Sequence, residues 1–173
     1  MRRYSSLNDA SNRIGVCIYT KETLKLCKNE GIHTCIDTAG YGLSDYDEIL
    51  NHTDLVLLDL KHIHKTDYEK MTGRSMDRFE EFLNALKKHQ TKIWIRHVVV
   101  PGITFQREEL LALGRYLKTL TNMEKLEVLP YHSMGKVKYD SLGIEYPLRD
   151  TPQLSKAEAA EAEAIIQEGM RGE

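Results

Sequence analysis

The sequence is short of the features that would assign a chain to a metal-binding or disulfide class at once. Its 173 residues include only three cysteines, Cys17, Cys27 and Cys35, and no closely spaced pair of the CxxC kind. Zinc and iron–sulfur sites need at least one such pair, and a disulfide framework needs an even set. We therefore predict three reduced thiols in or near the core.

Neither charge nor hydropathy favours a nucleic-acid or membrane partner. The chain has 24 basic and 26 acidic residues and a net charge of −2, so it offers no electrostatic attraction to either kind of surface. No apolar run approaches the roughly 20 residues that span a bilayer. The first residues carry two arginines but no apolar stretch of the secretory kind. We expect a cytoplasmic protein with one domain over residues 16–173, and we leave residues 1–15 unassigned, as disordered or non-native.

The sequence alternates short apolar strands with amphipathic helices. Strands are predicted at residues 33–37, 54–61, 92–102 and 125–131, where apolar or β-branched runs end near proline, glycine or a charged residue. The second of these is nearly continuous apolar, as expected for a strand covered on both faces. Repeated strand–helix units imply right-handed crossovers and a parallel sheet, which is either a barrel or a doubly wound sheet.

The segments between and after the strands have the helical period. A helix is predicted over residues 20–30, with Gly31 as the residue that ends it. Two further helices carry leucine and phenylalanine stripes at Phe79, Phe82, Leu83 and Leu86 and at Leu110, Leu113, Leu117 and Leu120. Met76 and Asp77 supply a candidate cap for the first of them. An Ala- and Glu-rich tail should form a helix that docks through Ile165 and Ile166. Residues 131–155 show no clear period, which makes them a candidate functional loop.

Polar side chains stand at or near the end of each predicted strand. They are Asp37 and Thr38 on the first strand, Asp59 and Lys61 on the second, Arg96 on the third and His132 after the fourth. The carboxyl ends of parallel strands meet at one edge of the sheet, where active sites of α/β proteins lie. We therefore predict one cluster formed by Asp37, Asp59, Lys61, Arg96 and His132.

Several roles remain open for this cluster on the residues alone. A charge inside an apolar strand is expensive unless it is paired, so Asp59 needs a partner. The two aspartates could share a cation through hard oxygen ligands, or Lys61 could neutralise them. Arg96 suits a carboxylate or phosphate, and His132 could donate a hydrogen bond, transfer a proton or bind a ligand.

Plainer readings compete with these roles. Asp37 could cap the next helix, Lys61 could be simply solvated, and Arg96 could form a structural salt bridge. His97 is expected to be structural because its neighbour Arg96 faces the other way. The remaining histidines stand at element edges and are expected to be exposed: His33, His52, His62, His64 and His89.

Four segments carry a resemblance to a known family: GIHTCIDTAGY, TDLVLLDLKH, KIWIRHVVVPG and KLEVLPYHSMGKVKY. They resemble the matching segments of pyruvate formate-lyase activating enzymes, in the same order, within a similarity that runs from about residue 20 to about residue 170. Such radical-SAM enzymes install a glycyl radical on a partner protein by reductive cleavage of S-adenosylmethionine (SAM). The resemblance implies an α/β fold, a partial parallel (β/α) barrel of the radical-SAM type with about four of its six strands present. It also implies a glycyl-radical enzyme as partner, with pyruvate formate-lyase favoured.

The resemblance also implies roles for single residues. Those that match a monovalent cation site beside the SAM carboxylate are Asp37, Thr38, Asp59 and a backbone carbonyl near Leu58. Those that match the SAM site are Lys61, Arg96 and His132. The family's 4Fe–4S cluster is held by a CxxxCxxC motif, and a GGEP segment grips the SAM amino group. Neither motif is present in this sequence, and the place that corresponds to GGEP reads IGVCIYTKE.

We therefore expect the carboxy-terminal portion of an activating enzyme, inactive alone because an electron from the cluster is needed to cleave SAM. The alternatives are a subunit of a split enzyme, completed by a separate amino-terminal piece, and a non-catalytic module that binds SAM or the partner. A further alternative is an unrelated barrel aldolase in which Lys61 forms a Schiff base. The unpaired sheet edge also predicts an isolated chain that is poorly stable, oligomeric or paired with another piece.

Overall fold

A computed structural model of the chain describes residues 10–42 and 46–172, and side chains from Thr20 onward. The helices are α1 (Ala10–Asn29), α2 (Tyr46–Leu50), α3 (Lys65–Thr72), α4 (Asp77–His89), α5 (Arg107–Leu117), α6 (Lys136–Leu142) and α7 (Lys156–Arg171). The strands are β1 (Cys35–Thr38), β2 (Leu55–Asp59), β3 (Lys92–Val99) and β4 (Met123–Pro130). A 3₁₀ turn, Ser133–Gly135, precedes α6.

The strands described here form one parallel sheet in the order β1-β2-β3-β4. Sequence order and spatial order are the same, as expected when each strand returns to its neighbour through a helical crossover. The register sets Asp37 opposite Leu57 and Asp59 opposite Arg96. The predicted strands are confirmed, with ends that differ by a few residues.

Helix α4 shows why these segments fold as predicted. Phe79, Phe82, Leu83 and Leu86 are all buried in the core, on one stripe of the helix. Acidic residues stand in its first turn and basic residues in its last, which complements the helix dipole. The predicted cap is only partly right, because Met76 holds the cap position without a side-chain hydrogen bond and is itself buried.

Only one face of the sheet is fully buried. Val56, Leu58, Ile93 and Ile95 have no exposed surface, whereas the alternate residues of β2, Leu55 and Leu57, are half-buried. The prediction that β2 is covered on both faces is therefore wrong for the part of the chain that is described. The apolar run extends over both faces, but the second face opens on the polar cluster described below.

Helices α5 and α7 pack closely on each other. The leucine stripe of α5 is buried as predicted, and Ile166 of α7 has no exposed surface while Ile165 is half-buried. A capping box starts α7: the Ser155 hydroxyl accepts from the Glu158 amide, and the Glu158 carboxylate accepts from the Ser155 amide. This reciprocal cap satisfies amide groups that the first helical turn leaves free.

Residues 131–155 are more ordered than their sequence suggests. They contain the 3₁₀ turn and α6, and Tyr131 and Tyr146 form a small buried cluster with Val100. At the other end of the fold, α1 begins at Ala10, inside the range that the sequence left unassigned, and ends before Gly31, which has a φ of 71°. Among the described helices, none is long and apolar enough to cross a membrane.

Asp54 provides a pH-dependent link between α1, β1 and β2. Its carboxylate accepts hydrogen bonds from Lys28 and from the Thr34 amide and hydroxyl, at 2.9 and 3.0 Å for the latter two. Chiefly the Lys28 bond, and then those of Thr34, lower the pKa of Asp54 from 3.8 to about 2. A pKa lowered by folding stabilises the protein above the unfolded value, and that contribution is lost as pH falls through the folded value.

We therefore expect the free energy of unfolding to fall as pH drops from 3.8 to about 2, less steeply in Asp54→Asn than in the native chain. Urea denaturation at a series of pH values measures this. Asp150→Asn, which removes an exposed carboxylate, should retain the native slope. An Asp54→Asn slope as steep as the native one would contradict the assignment.

Candidate functional site

Four of the five predicted cluster residues meet at the carboxyl edge of the sheet. Arg96 Nε donates to Asp59 Oδ1 at 2.9 Å and Nη1 donates to Asp37 Oδ2 at 2.9 Å. Its Nη2 atom contacts both carboxylates, at 2.8 Å from Asp59 Oδ1. Lys61 Nζ donates to Asp59 Oδ2 at 3.0 Å. The guanidinium thus lies between two carboxylates on neighbouring strands.

The strand register explains this arrangement. Arg96 is directly opposite Asp59, and Asp37 is opposite Leu57. Leu57 precedes Asp59 by two residues, so both lie on the same face of β2. The exposed fractions of the side chains are 20% for Arg96, 27% for Asp59 and 59% for Asp37. The hydrogen bond that Arg96 donates to Asp37 and the charges of both aspartates raise the pKa of Arg96 above its usual value, against the effect of burial.

The other predicted site residues lie outside this network. Thr38 Oγ1 accepts from the Gly40 amide at 3.0 Å and so shapes the turn after β1. Gly40 has a φ of 71°, and a Cβ there would lie 2.8 Å from Phe79 Cδ2, so the turn needs glycine on both counts. The Leu58 side chain is in the core. His132 is exposed after β4, and no described contact joins it to Arg96.

The prediction is confirmed for one histidine near the site, His97, and wrong for another, His62. His97 is buried and its Nδ1 donates to the Leu60 carbonyl at 2.8 Å, which confirms the structural role predicted for it. Burial lowers its pKa. His62 was predicted to be exposed, which is wrong: only 6% of its side chain is accessible. Side chains alternate at the end of β2, so Lys61 points to the open face and His62 points towards α5.

The predicted exposure is confirmed for some of the remaining histidines and wrong for others. His33 and His64 are exposed as predicted, whereas His52 is half-buried. His89 is largely covered, with 14% of its side chain accessible, and its Nε2 lies 2.6 Å from Asp47 Oδ1. Exposure at an element edge therefore depends on the neighbouring helix, which a single segment of sequence does not reveal.

The cluster fits the amino-acid end of SAM. That end carries one ammonium and one carboxylate, which need an acceptor and a donor side by side. Lys61 and Arg96 supply donors for a carboxylate, and Asp37 and Asp59 supply acceptors for an ammonium. More than half of the Asp37 side chain is accessible, so a ligand can reach it from the open face.

The residues described do not fit a 4Fe–4S cluster. Cys27 is half-buried on α1 and Cys35 is exposed at the start of β1, and both are free thiols. The side chain of Cys17 lies outside the described residues. Over residues 20–42 and 46–172, no three His, Cys, Asp or Glu side chains are placed to hold a metal ion.

Comparison with known proteins assigns the class. The family model of the radical SAM superfamily matches residues 18–114, which is more than half of the chain. The chain belongs to the radical SAM superfamily.

Within that superfamily, the chain is similar to one kind of enzyme. The pyruvate formate-lyase-activating enzyme of Clostridium pasteurianum is 46% identical over 147 residues, which are 85% of this chain and 62% of the relative. That of Staphylococcus epidermidis is 39% identical over 154 residues, 85% of this chain and 59% of the relative. The chain thus spans about 60% of the length of the curated relatives it matches.

A solved structure shares the fold. The crystal structure of a domain of pyruvate-formate lyase-activating enzyme from Bacteroides vulgatus aligns with a TM-score of 0.70 at 17% sequence identity. The alignment covers 91% of this chain and 89% of that domain. The predicted α/β fold of the radical-SAM type is thereby confirmed, as a part of the barrel.

Proposed function

We propose that this chain is the carboxy-terminal, SAM-binding portion of a glycyl-radical activating enzyme whose partner is pyruvate formate-lyase. The observation that carries the proposal is the 46% identity to a pyruvate formate-lyase-activating enzyme over 85% of the chain. The cluster of Arg96 with Asp37, Asp59 and Lys61 supports it, because this set suits a zwitterionic amino-acid ligand.

In this proposal the chain's own residues hold and orient SAM. Arg96 and Lys61 donate hydrogen bonds to the SAM carboxylate, Asp59 positions both donors, and His132 contacts the ligand from the end of β4. Bound SAM would supply the radical chemistry that removes hydrogen from the partner's glycine, with methionine released and the electron delivered by a separate iron–sulfur centre. The chain contributes position rather than an electron, because its sequence lacks the CxxxCxxC motif.

The proposed monovalent cation site needs a rearrangement. Its ligands would be the Asp37 and Asp59 carboxylates, the Thr38 hydroxyl and the Leu58 carbonyl. The Arg96 guanidinium bridges both carboxylates, and its positive charge neutralises them as a bound cation would. A cation enters this set only if Arg96 leaves Asp37 and turns to the SAM carboxylate, an exchange of one cationic partner for another.

The alternative functions differ in what the cluster does. A non-catalytic module that binds SAM or the partner is favoured by the missing cysteine motif and would keep the same cluster. A Schiff-base aldolase would need Lys61 in apolar surroundings or beside another cation. Instead, Lys61 Nζ is 3.0 Å from an Asp59 carboxylate oxygen, which disfavours that reading.

Complementation tests the proposal. The chain would be co-expressed with the amino-terminal segment of the Clostridium relative that precedes the matched region, and iron and sulfide would be reconstituted anaerobically. With SAM, a reductant and pyruvate formate-lyase, we expect a glycyl-radical signal by electron paramagnetic resonance from the pair and none from either piece alone. A pair that binds the cluster and SAM but leaves pyruvate formate-lyase without a radical would contradict the activase function. Failure of the chain to bind SAM at all would overturn the whole proposal.

A further inference from the structure

A cavity of about 660 Å³ lies beyond the carboxyl ends of β2 and β3. We call it the α3–α5 cavity. Its walls come from the loop after β2, α3, the loop after β3, the start of α5, α6 and the segment after α6. None of Asp37, Asp59, Lys61 and Arg96 is among its lining residues, so the cavity is separate from the cluster around Arg96. Its volume is within the range of ordinary ligand sites.

One wall of the α3–α5 cavity is aromatic and rigid. Tyr146 and Tyr139 line it with ring centroids 5.1 Å apart in an edge arrangement. Tyr131 donates to the Leu148 carbonyl at 3.3 Å, so the hydroxyl of Tyr146 donates to Tyr131, at 2.8 Å. These bonds attach the wall to the end of β4. Burial raises the pKa of Tyr131 to about 12, so its hydroxyl remains protonated at neutral pH.

The floor of the cavity is polar and built from His62 and Glu109. His62 Nδ1 accepts from the His64 amide at 3.1 Å, so its hydrogen is on Nε2, which is directed at Glu109. The Nε2 to Oε2 distance is 3.9 Å, too long for a hydrogen bond. His64 Nε2 is 3.5 Å from the same oxygen. Burial lowers the pKa of His62, which disfavours a charge on this ring.

Charge at the cavity is unbalanced. The Asp67 carboxylate is paired with Lys70 at 3.0 Å, so these two rim residues neutralise each other. Glu109 has no ion pair with a lysine or arginine among the described residues, and its neighbours are the two histidines. The net charge that the lining presents to an occupant is therefore negative, and it comes from the Glu109 carboxylate, in a cavity that two tyrosine rings also line.

We propose that the α3–α5 cavity binds an arginine or lysine side chain of a partner polypeptide. The cationic head forms an ion pair with Glu109 and packs on the face of a tyrosine ring, a cation–π contact. The apolar stem packs on Ile103 and Met71. The cavity is larger than one side chain requires, so it has room for the residues on either side. The site does not depend on SAM and goes beyond the proposed activase function.

A metal ion is the main competing occupant for two histidines and a carboxylate. A ligating histidine normally donates its other ring N–H to an acceptor. His62 does the reverse, because its Nδ1 already accepts a hydrogen bond and its Nε2 carries the hydrogen. His62 thus directs an N–H rather than a free ring nitrogen towards Glu109, which disfavours a metal ion held by His62.

Capped arginine peptides test the proposal directly. The probes are acetyl-Ala-Arg-Ala-amide and the same peptide with citrulline, which has the same shape without the charge. We expect the arginine peptide to shift the amide NMR signals of the cavity residues with a Kd on the order of 1 mM, and the citrulline peptide to bind about tenfold more weakly. Methylguanidinium, as a free small cation, should bind more weakly than the arginine peptide if a polypeptide is the ligand.

Two matched variants locate the charge. Glu109→Gln removes the carboxylate that has no lysine or arginine partner among the described residues, and it should weaken binding of the arginine peptide about tenfold. Asp67→Asn removes a carboxylate of the same rim that Lys70 already neutralises, and should change binding less than about twofold. Equal binding of the arginine and citrulline peptides, methylguanidinium as tight as the peptide, or equal effects of the two variants would overturn the proposal. The peptide comparison needs no variant, so a folding defect in Glu109→Gln leaves it intact.

Discussion

Gly114→Ala is expected to lower the free energy of unfolding by about 2 kcal/mol net, through overpacking between α5 and α7. A Cβ at Gly114 would lie 2.9 Å from Gly169 Cα and closer still to the Ile166 carbonyl oxygen. These are backbone atoms, so no side chain can rotate to make room, and the two helices must separate. The clash should cost about 3 kcal/mol, and the better helix propensity of alanine returns about 1 kcal/mol of it.

Thermal and urea denaturation measure this effect. The melting temperature should fall by roughly 6 °C for a domain of this size, and α7 should become accessible to proteases. Gly135→Ala is the matched control, because a Cβ there meets nothing nearer than 4.0 Å and the residue has a negative φ. It should change stability by less than about 0.5 kcal/mol. A Gly114→Ala protein as stable as this control would show that the helices do not pack through these glycines.

This close contact was not predictable from periodicity. The leucine stripe of α5 shows in the sequence because hydrophobic residues recur at the helical spacing, and all four of its leucines are buried. In the sequence, Gly114 and Gly169 are residues of low helix propensity within two segments that otherwise favour a helix. They allow α5 and α7, which are far apart in the sequence, to approach closely where they cross. The hydrophobic periodicity of each helix contains no information on that crossing.

The candidate site was predictable in part for a physical reason. Parallel strands bring their carboxyl ends to one edge, so Asp37, Asp59, Lys61 and Arg96 had to come near one another once the sheet was assigned. Which groups pair was left open, because the pairing depends on register. The register sets Asp59 opposite Arg96, and the guanidinium rather than Lys61 alone neutralises both carboxylates.

His62 shows the limit of strand-end reasoning. Its place at an element edge predicts exposure, but His62 and Lys61 are adjacent and their side chains point to opposite faces. On the far face it meets α5, whose register relative to β2 the sequence does not show. The α3–α5 cavity is unpredictable for the same reason, because its lining comes from segments far apart in the sequence. Of these, only residues 131–155 show as a candidate functional loop.

Arg96→Gln is expected to weaken SAM binding about 30-fold, because truncating one member of a hydrogen-bonded charge cluster removes a donor and leaves its partners unpaired. The proposed ligand loses one donor to its carboxylate. It also meets the charge of Asp37, which loses its partner, and that of Asp59, which keeps only Lys61. Repulsion of the SAM carboxylate therefore adds to the lost hydrogen bond.

Arg96→Lys separates charge from geometry. A lysine keeps the positive charge. Its single ammonium cannot replace the guanidinium, which donates to Asp59 through Nε and to Asp37 through Nη1. We expect SAM to bind about tenfold more weakly than to the native chain, between the native and glutamine values. Isothermal titration calorimetry with SAM measures all three proteins.

Arg149→Gln is the matched control, since it makes the same change of charge in an exposed pair with Glu145 at 3.9 Å. Its effect on the Kd should be less than about twofold, as for exposed ion pairs in general. If Arg96→Gln and Arg149→Gln bind SAM equally well, the guanidinium does not contact the ligand and the cluster is a structural salt bridge. If Arg96→Lys binds as weakly as Arg96→Gln, the bridging geometry of the guanidinium matters more than its charge, because only arginine holds both strands in position around the ligand.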